Sequence, residues 1–110
     1  MDLNNFQEVS VRTMNDELTF EQKVTNCLMG IQGETGELAD IFKKHIYQGH
    51  DLDLEHVEEE LGDVMFYIVN LATLYNIDME DVIEKNFEKL LNRFPNGFSV
   101  EDSIARVDKK

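Results

Sequence analysis

Apolar residues recur along this chain at intervals of three and four, and nowhere in the alternating rhythm of a half-buried strand. From 20 to 47 the stripe is Val24, Cys27, Leu28, Ile31, Leu38, Ile41 and Phe42. From 53 to 75 it is Val57, Leu61, Val64, Met65, Ile68, Leu71, Ala72 and Tyr75, and from 78 to 94 it is Ile83, Phe87, Leu90, Leu91 and Phe94. Each set covers one face of a 3.6-residue repeat, so the pattern predicts helices over 20–47, 53–75 and 78–94, preceded by one over 2–15. Residue supply agrees: Ala, Leu, Glu, Lys, Met and Gln are common, and alternating β-branched runs are missing.

Punctuation sets the ends. Thr19 before Phe20, with Gln22 three residues on, is a capping pattern for the second helix, and Gln48-Gly49-His50-Asp51 is the turn that closes it. Asp53 caps the third helix, Asn76 to Asp78 breaks the chain before the fourth, and Pro95-Asn96-Gly97 stops that one. Phe98 to Lys110 is weakly patterned and reads either as a loop plus short helix or as a partly ordered arm. The expected fold is therefore an all-α four-helix bundle. A chain of 110 residues builds one core and not two, which makes 1–110 a single domain with 98–110 as its C-terminal tail.

Four acidic residues stand out from this frame: Glu34 and Glu37 in GETGELADIFKK, then Glu60 and Asp63 in EEELGDVMFY. Both pairs are spaced i, i+3, which places each on one side of its helix. Glu34 projects about 55° and Glu37 about 115° from the centre of the second helix's stripe. On the third helix Glu60 lies at about 80° and Asp63 at about 140°, whereas Glu59 points nearly opposite the stripe. A purely solvating pair would lie opposite, as Glu59 does. Antiparallel packing through a short turn brings matching flanks to one side of the interface, and both pairs sit at similar distances from the Gln48–Asp51 turn. Carboxylates gathered in this way repel one another unless a cation lies between them. Hard oxygen ligands suit Mg2+ or Mn2+, and Mg2+ completes its shell with water and phosphate oxygens. Gly30, Gly33 and Gly36 run beside the first pair, each less favourable than Ala in a helix by about 1 kcal/mol. They permit either the approach of a backbone or phosphate, or tight helix packing alone.

The formal net charge of −13 weighs against general affinity for nucleic acid or an anionic membrane. A phosphate ligand then requires a local source of positive charge. The fourth helix supplies it in EKNFEKLLNRFPNGF, where Asn86, Lys89 and Arg93 gather on one flank and Lys85 lies further round. A solvated face paired with Glu84 and Glu88 is the alternative. Tyr67, four residues after Asp63, is either a donor to a phosphate or ribose oxygen or a core tyrosine. His45, His50 and His56 show no metal-ligand spacing and read as structural or exposed. Cys27 is the only cysteine, so neither an intrachain disulfide nor a structural zinc site is expected. The first residues lack a signal-peptide pattern, and no apolar run approaches the roughly 18 residues of a membrane span. A cytoplasmic location is expected.

These residues, in this order, resemble the MazG-like nucleoside triphosphate pyrophosphohydrolases of the all-α NTP pyrophosphatase superfamily. That signature is Glu-x-x-Glu, a variable spacer and Glu-x-x-Asp, met here by Glu34, Glu37, Glu60 and Asp63 with 22 residues between the inner two. GETGELADIFKK resembles the family's first metal helix, ELGDVMFYIVNLA its second, and EKNFEKLLNRFPNGF its C-terminal helix, while FQEVSVRTMN is similar to its leading helix. The resemblance implies a helical bundle that assembles as a homodimer or homotetramer, with active sites near protomer interfaces. It implies Mg2+, with Mn2+ as a substitute, held by Glu34, Glu37, Glu60 and Asp63, and nucleotide contacts from Tyr67, Asn86, Lys89 and Arg93. The implied reaction is hydrolysis of an NTP or dNTP to the monophosphate and pyrophosphate, serving nucleotide-pool housekeeping. Glu34 and Glu37 are both candidates for the general base. Two departures leave base recognition open: Phe66 stands where many relatives have Trp, and His56 replaces a lysine found in some. Relatives directed at dUTP or phosphoribosyl-ATP are not separated from this reading. The alternative of another class is a non-catalytic helical dimerisation or partner-binding module that keeps the acidic motif. A ferritin-like di-iron site would need Glu-x-x-His pairs, which are missing.

Overall fold

Capping chemistry opens every long helix. In the computed structural model, which describes residues 1–109, the Gln22 N–H donates to Thr19 Oγ1 at 3.2 Å while the Thr19 N–H donates to Gln22 Oε1 at 3.0 Å. This reciprocal pair starts α2, Phe20–Gln48. Gly49 ends it in the left-handed region, at φ 73°, a conformation a residue without Cβ adopts freely. Asp53 accepts from the N–H groups of Glu55 and His56 to open α3, Leu54–Leu74, and Asp78 accepts from Glu80 to open α4, Met79–Arg93.

The N-terminal helix is shorter than the expected 2–15. α1 spans Leu3–Ser10 and tightens into a 3-10 turn over Val11–Thr13. The Thr13 hydroxyl donates to the Ser10 carbonyl at 2.9 Å, and Met14 then runs extended. β-Branched Val9, Val11 and Thr13 weaken helical continuation there. The tail is a loop plus short helix, α5, Val100–Ala105, capped by Ser99 accepting from the Asp102 N–H at 3.0 Å, and followed by a 3-10 turn at Val107–Lys109. No strand occurs among the described residues, and none of their helices is long and apolar enough to cross a membrane.

α2 and α3 form the principal interface, an antiparallel hairpin. Its register shows in three facing pairs: Phe20 meets Tyr75 edge to face at 5.2 Å, Gly30 lies under the Tyr67 ring, and Glu34 stands opposite Glu60. α1 packs on α3, where Leu3 and Phe6 cover Val69, Ala72 and Met79 together with Met65 and Ile68. The Gln7 amide locks that joint. It donates to Thr73 Oγ1 at 3.2 Å and to the Ile77 carbonyl at 2.7 Å, and it accepts from the Met79 N–H at 3.1 Å.

α4 then leaves the hairpin and packs chiefly on α1 and the C-terminal 3-10 turn. Its stripe of Ile83, Phe87, Leu90 and Leu91 remains 42–58% exposed. The radius of gyration is accordingly 17.3 Å, against about 13 Å for a compact chain of this length.

A Cβ added at Gly30 would lie 2.5 Å from the Tyr67 ring, whereas one added at Gly33 meets nothing within 4 Å. Gly30→Ala is expected to lower stability by about 1–3 kcal/mol. Gly33→Ala should raise it by up to about 1 kcal/mol. Urea midpoints of the two variants in metal-free buffer read the contrast.

Candidate functional site

Close approach at Gly30 and Tyr67 sets the hairpin register, and one helical turn further on the register places acid against acid. Glu34 and Glu37 of α2 and Glu60 of α3 each offer a carboxylate oxygen, and these atoms all lie within 4.8 Å of one another. Glu60 is only 6% exposed, Glu34 is half-buried and Glu37 is exposed. One oxygen of Glu34 and one of Glu60 are buried with no hydrogen-bond partner. Buried acceptors left unpaired are costly, so this pair of atoms calls for a donor or a cation.

The electrostatics describe the same demand. Glu34 is pushed up to about 7, first by its hydrogen bond to Glu60, then by desolvation, then by the charges of Glu37, Glu60 and Asp63. Glu60 is held below the ordinary carboxylate range, chiefly because it accepts that hydrogen bond from Glu34. A proton retained on Glu34 thus screens the cluster. Three oxygen-only ligands, two of them with orphaned atoms, fit a hard divalent ion that would replace this proton.

Asp63 is exposed and lies outside the tight three-residue group, yet its charge reaches Glu34. It sits on the rim. Sequence projection ranked it furthest from the apolar stripe, and the structure places it accordingly.

A cleft of about 570 Å³ opens beside the cluster, walled by Gly33, Gly36, Glu37, Asp40, Lys44 and His56 among others. Glu37 is shared between cluster and cleft. The three helical glycines therefore divide. Gly30 serves helix packing, while Gly33 and Gly36 line open space that a ligand can enter. Lys44 pairs with Asp40 at 2.9 Å. His45 Nδ1 bonds the His50 carbonyl at 2.7 Å across the turn, a structural role.

His56 is the site residue that sequence reasoning passed over. Its Nε2 stands 3.4 Å from Glu60 Oε1. The available cue was its position four residues before Glu60, which puts both on one helix face.

The remaining expected contacts are more scattered. Tyr67 is half-buried, with its ring against Gly30 and edge-on to Phe66 at 5.1 Å. Asn86 is exposed and Lys89 half-buried on α4, which packs away from the hairpin cleft, so one chain does not gather this row beside the acidic cluster. Arg93 donates through Nε and Nη2 to the two carboxylate oxygens of Asp108, each at 2.7 Å. Arg93 holds the Asp108 carboxyl down to about 2.

Fold and site together define an all-α domain whose helix hairpin gathers carboxylates of the kind that hard divalent ions bind. The family model of the MazG nucleotide pyrophosphohydrolase domain matches residues 22–98, and the chain belongs to that family. It is similar to the Gene 37 protein of Mycobacterium phage L5, with 33% identity over 73 residues covering 63% of this chain and 64% of that protein. It is also similar to the nucleoside triphosphate pyrophosphohydrolase/pyrophosphatase MazG of Thermotoga maritima, with 43% identity over 42 residues covering 38% of this chain and 16% of that protein. The chain spans less than two thirds of the length of either relative. No solved structure matches it. The family match takes in the acidic hairpin and α4 and stops before α5.

A carboxyl whose pKa is higher folded than unfolded stabilises the fold while protonated. For Glu34 that contribution is complete below its ordinary value of 4.5 and is lost as pH rises through about 7. In EDTA, the melting temperature of the wild-type protein is expected to fall, relative to Glu34→Gln, between about pH 5 and 8. Mg2+ or Mn2+ at the alkaline end should restore it. Parallel curves for the two proteins would contradict the shared proton.

Proposed function

We propose that this chain is a divalent-metal-dependent nucleoside triphosphate diphosphatase, which cleaves an NTP or dNTP between the α and β phosphorus atoms to give a nucleoside monophosphate and pyrophosphate. The observation that carries this reading is the convergence of Glu34, Glu37 and Glu60, with two buried oxygens unpartnered, on the helix pair that the family match covers. An acidic chain of net charge −13 does not draw in a polyphosphate by its overall field. It accepts one through a screened, local site. The cleft beside Glu37 has the volume of an ordinary small-molecule site.

Mg2+, or Mn2+ in its place, supplies neutralisation of phosphate charge and a lowered water pKa when bound. The chain's own residues do the rest. Glu34 and Glu60 hold the inner positions, and Asp63 closes the rim. Glu37 is exposed where cluster meets cleft, the better placed of the two candidate bases to take the proton of the attacking water, since Glu34 is committed to Glu60. His56 orients Glu60 from the next turn.

The cationic half of the site comes from a second copy of the chain. Its support is the bare apolar stripe of α4, together with the placement of Asn86, Lys89 and Arg93 away from the cluster of their own chain. Pairing through α4 in a homodimer, or in a homotetramer of such pairs, covers the stripe and offers the row to a neighbouring cleft. Tyr67, Asn86, Lys89 and Arg93 are then the nucleotide contacts, and nucleotide-pool housekeeping in the cytoplasm is the cellular role.

A panel of NTPs and dNTPs with product identification tests the chemistry. Pyrophosphate and monophosphate are expected, and release of orthophosphate would overturn it. Groups one shell out from a metal are already worth about 10–100-fold, so Glu37→Gln in the cluster and Asp63→Asn on its rim should each lower kcat by about tenfold or more with the helical circular dichroism spectrum unchanged. The assembly has its own test. Phe87→Asp should shift the sedimenting species toward monomer and lose activity with it, and a wild-type protein that is monomeric at working concentration would remove the two-copy site.

A further inference from the structure

The segment after residue 98 lies outside the family-matched span, yet it makes the shortest ion pair among the described residues. Arg93, at the last turn of α4, donates Nε–H to Asp108 Oδ1 and Nη2–H to Asp108 Oδ2, both at 2.7 Å. The two side chains are 17% and 2% exposed. Several features bring Asp108 there. The Phe98 ring packs on Phe94 at 5.4 Å, Ser99 caps α5, and Arg106 turns the chain in the left-handed region at φ 49°. A non-glycine residue is disfavoured in that region and persists where surrounding contacts over-determine it. Arg106 Nε also stands 3.8 Å from Asp108 Oδ1.

A guanidinium carries five N–H groups, arranged as a side edge, Nε with Nη2, and an end edge, Nη1 with Nη2. Asp108 fills the side edge completely. The fork-to-fork pair fixes the plane of the group and leaves the end edge as a two-donor fork of set direction. An unrestrained arginine side chain has many rotamers, and much of that freedom is lost when it grips an anion. Here Asp108 has already removed much of that freedom.

We propose that Asp108 is a positioning residue for phosphate recognition: it locks the Arg93 guanidinium so that the Nη1–Nη2 edge alone is presented to the polyphosphate. This rests on the proposed reading of Arg93 as a nucleotide contact, and it reconciles that contact with the side edge being taken. The C-terminal arm is then part of the site's machinery although the family match ends before it. The opposite role for the same carboxylate, as a surrogate anion that keeps phosphate off Arg93, makes the reverse prediction.

The test uses the full chain. Tripolyphosphate binding in the presence of Mg2+ is measured by calorimetry, and KM and kcat are measured for the NTP that the wild type hydrolyses best. A hydrogen bond to a charged group is worth about 1.5–3 kcal/mol, so Asp108→Asn is expected to raise both KM and the tripolyphosphate Kd about tenfold or more, with kcat changed much less. Asp108→Glu keeps the charge on a longer stem and should recover most of the loss. It also serves as the deciding variant should Asp108→Asn fail to fold: the longer stem displaces the guanidinium plane, so the proposal expects a residual rise in KM of about twofold to threefold, whereas a pure anchor leaves KM at the wild-type value. In an Arg93→Lys background, Asp108→Asn should add little, because lysine has no edge to orient. A lower melting temperature with unchanged KM would reduce Asp108 to an anchor and overturn the proposal. Tighter tripolyphosphate binding by Asp108→Asn would overturn it in favour of the surrogate anion. A wild-type protein that neither hydrolyses NTPs nor binds tripolyphosphate sinks the proposed function and this inference together, whereas an active enzyme whose KM and tripolyphosphate Kd are untouched by Asp108→Asn sinks this inference alone.

Discussion

Like charge brought together by helix packing is the constraint on which the rest of the structure depends. The α2–α3 hairpin is held by apolar stripes and by the close seat of the Tyr67 ring on Gly30, and its register forces Glu34 against Glu60 with Glu37 alongside. The fold cannot keep its principal interface and separate those carboxylates. Metal-free, this crowding raises the Glu34 carboxyl to about 7, which favours a proton there as pH falls below neutral; a bound cation would take that proton's place. For an ion seated in this cluster, affinity and folding stability would be one linked quantity, because a ligand that binds only the folded arrangement stabilises it by mass action.

Much of this was legible in the chain because the relevant physics is local. Thr19 with Gln22, and Asp53, cap where hydrogen-bond chemistry says they should, and the break at Asn76 to Asp78 falls before α4. The helical projection of Glu34 and Glu60 toward the buried side, with Glu37 on the exposed flank, follows from the 3.6-residue period alone, and so does the poorer placement of Asp63. The early end of α1 was not legible. Its apolar rhythm continues through Met14, while the Thr13 hydroxyl competes for the backbone and tips the chain into a 3-10 turn.

Residues of one type with different partners account for the rest. Gly30, Gly33 and Gly36 look alike in sequence at three-residue spacing, but only Gly30 faces an aromatic ring, because which glycine meets α3 depends on the rotation of α2 against it. Arg93 has every local mark of a phosphate ligand, yet its side edge belongs to Asp108, 15 residues away across a tail with little pattern. The stripe on α4 states that the helix has an apolar partner and not which chain provides it. Periodicity reports faces, and pairing between faces is a tertiary fact.

The distribution of charge then argues for how the site must be completed. Within the hairpin Lys44, the lysine of the cleft wall, is already answered by Asp40 at 2.9 Å, and His56 is turned to Glu60 at 3.4 Å. Glu37 is left exposed in the same wall. A polyphosphate entering such a cleft meets net negative charge unless positive charge arrives with it or from outside the hairpin. In the proposed site divalent ions would supply the first and the α4 row of a second copy the second, with Arg93 oriented by Asp108. On the proposed reading a chain that is acidic overall gains selectivity from its own repulsion: anions that do not bring a divalent ion would be turned away by the same carboxylates that would seat one.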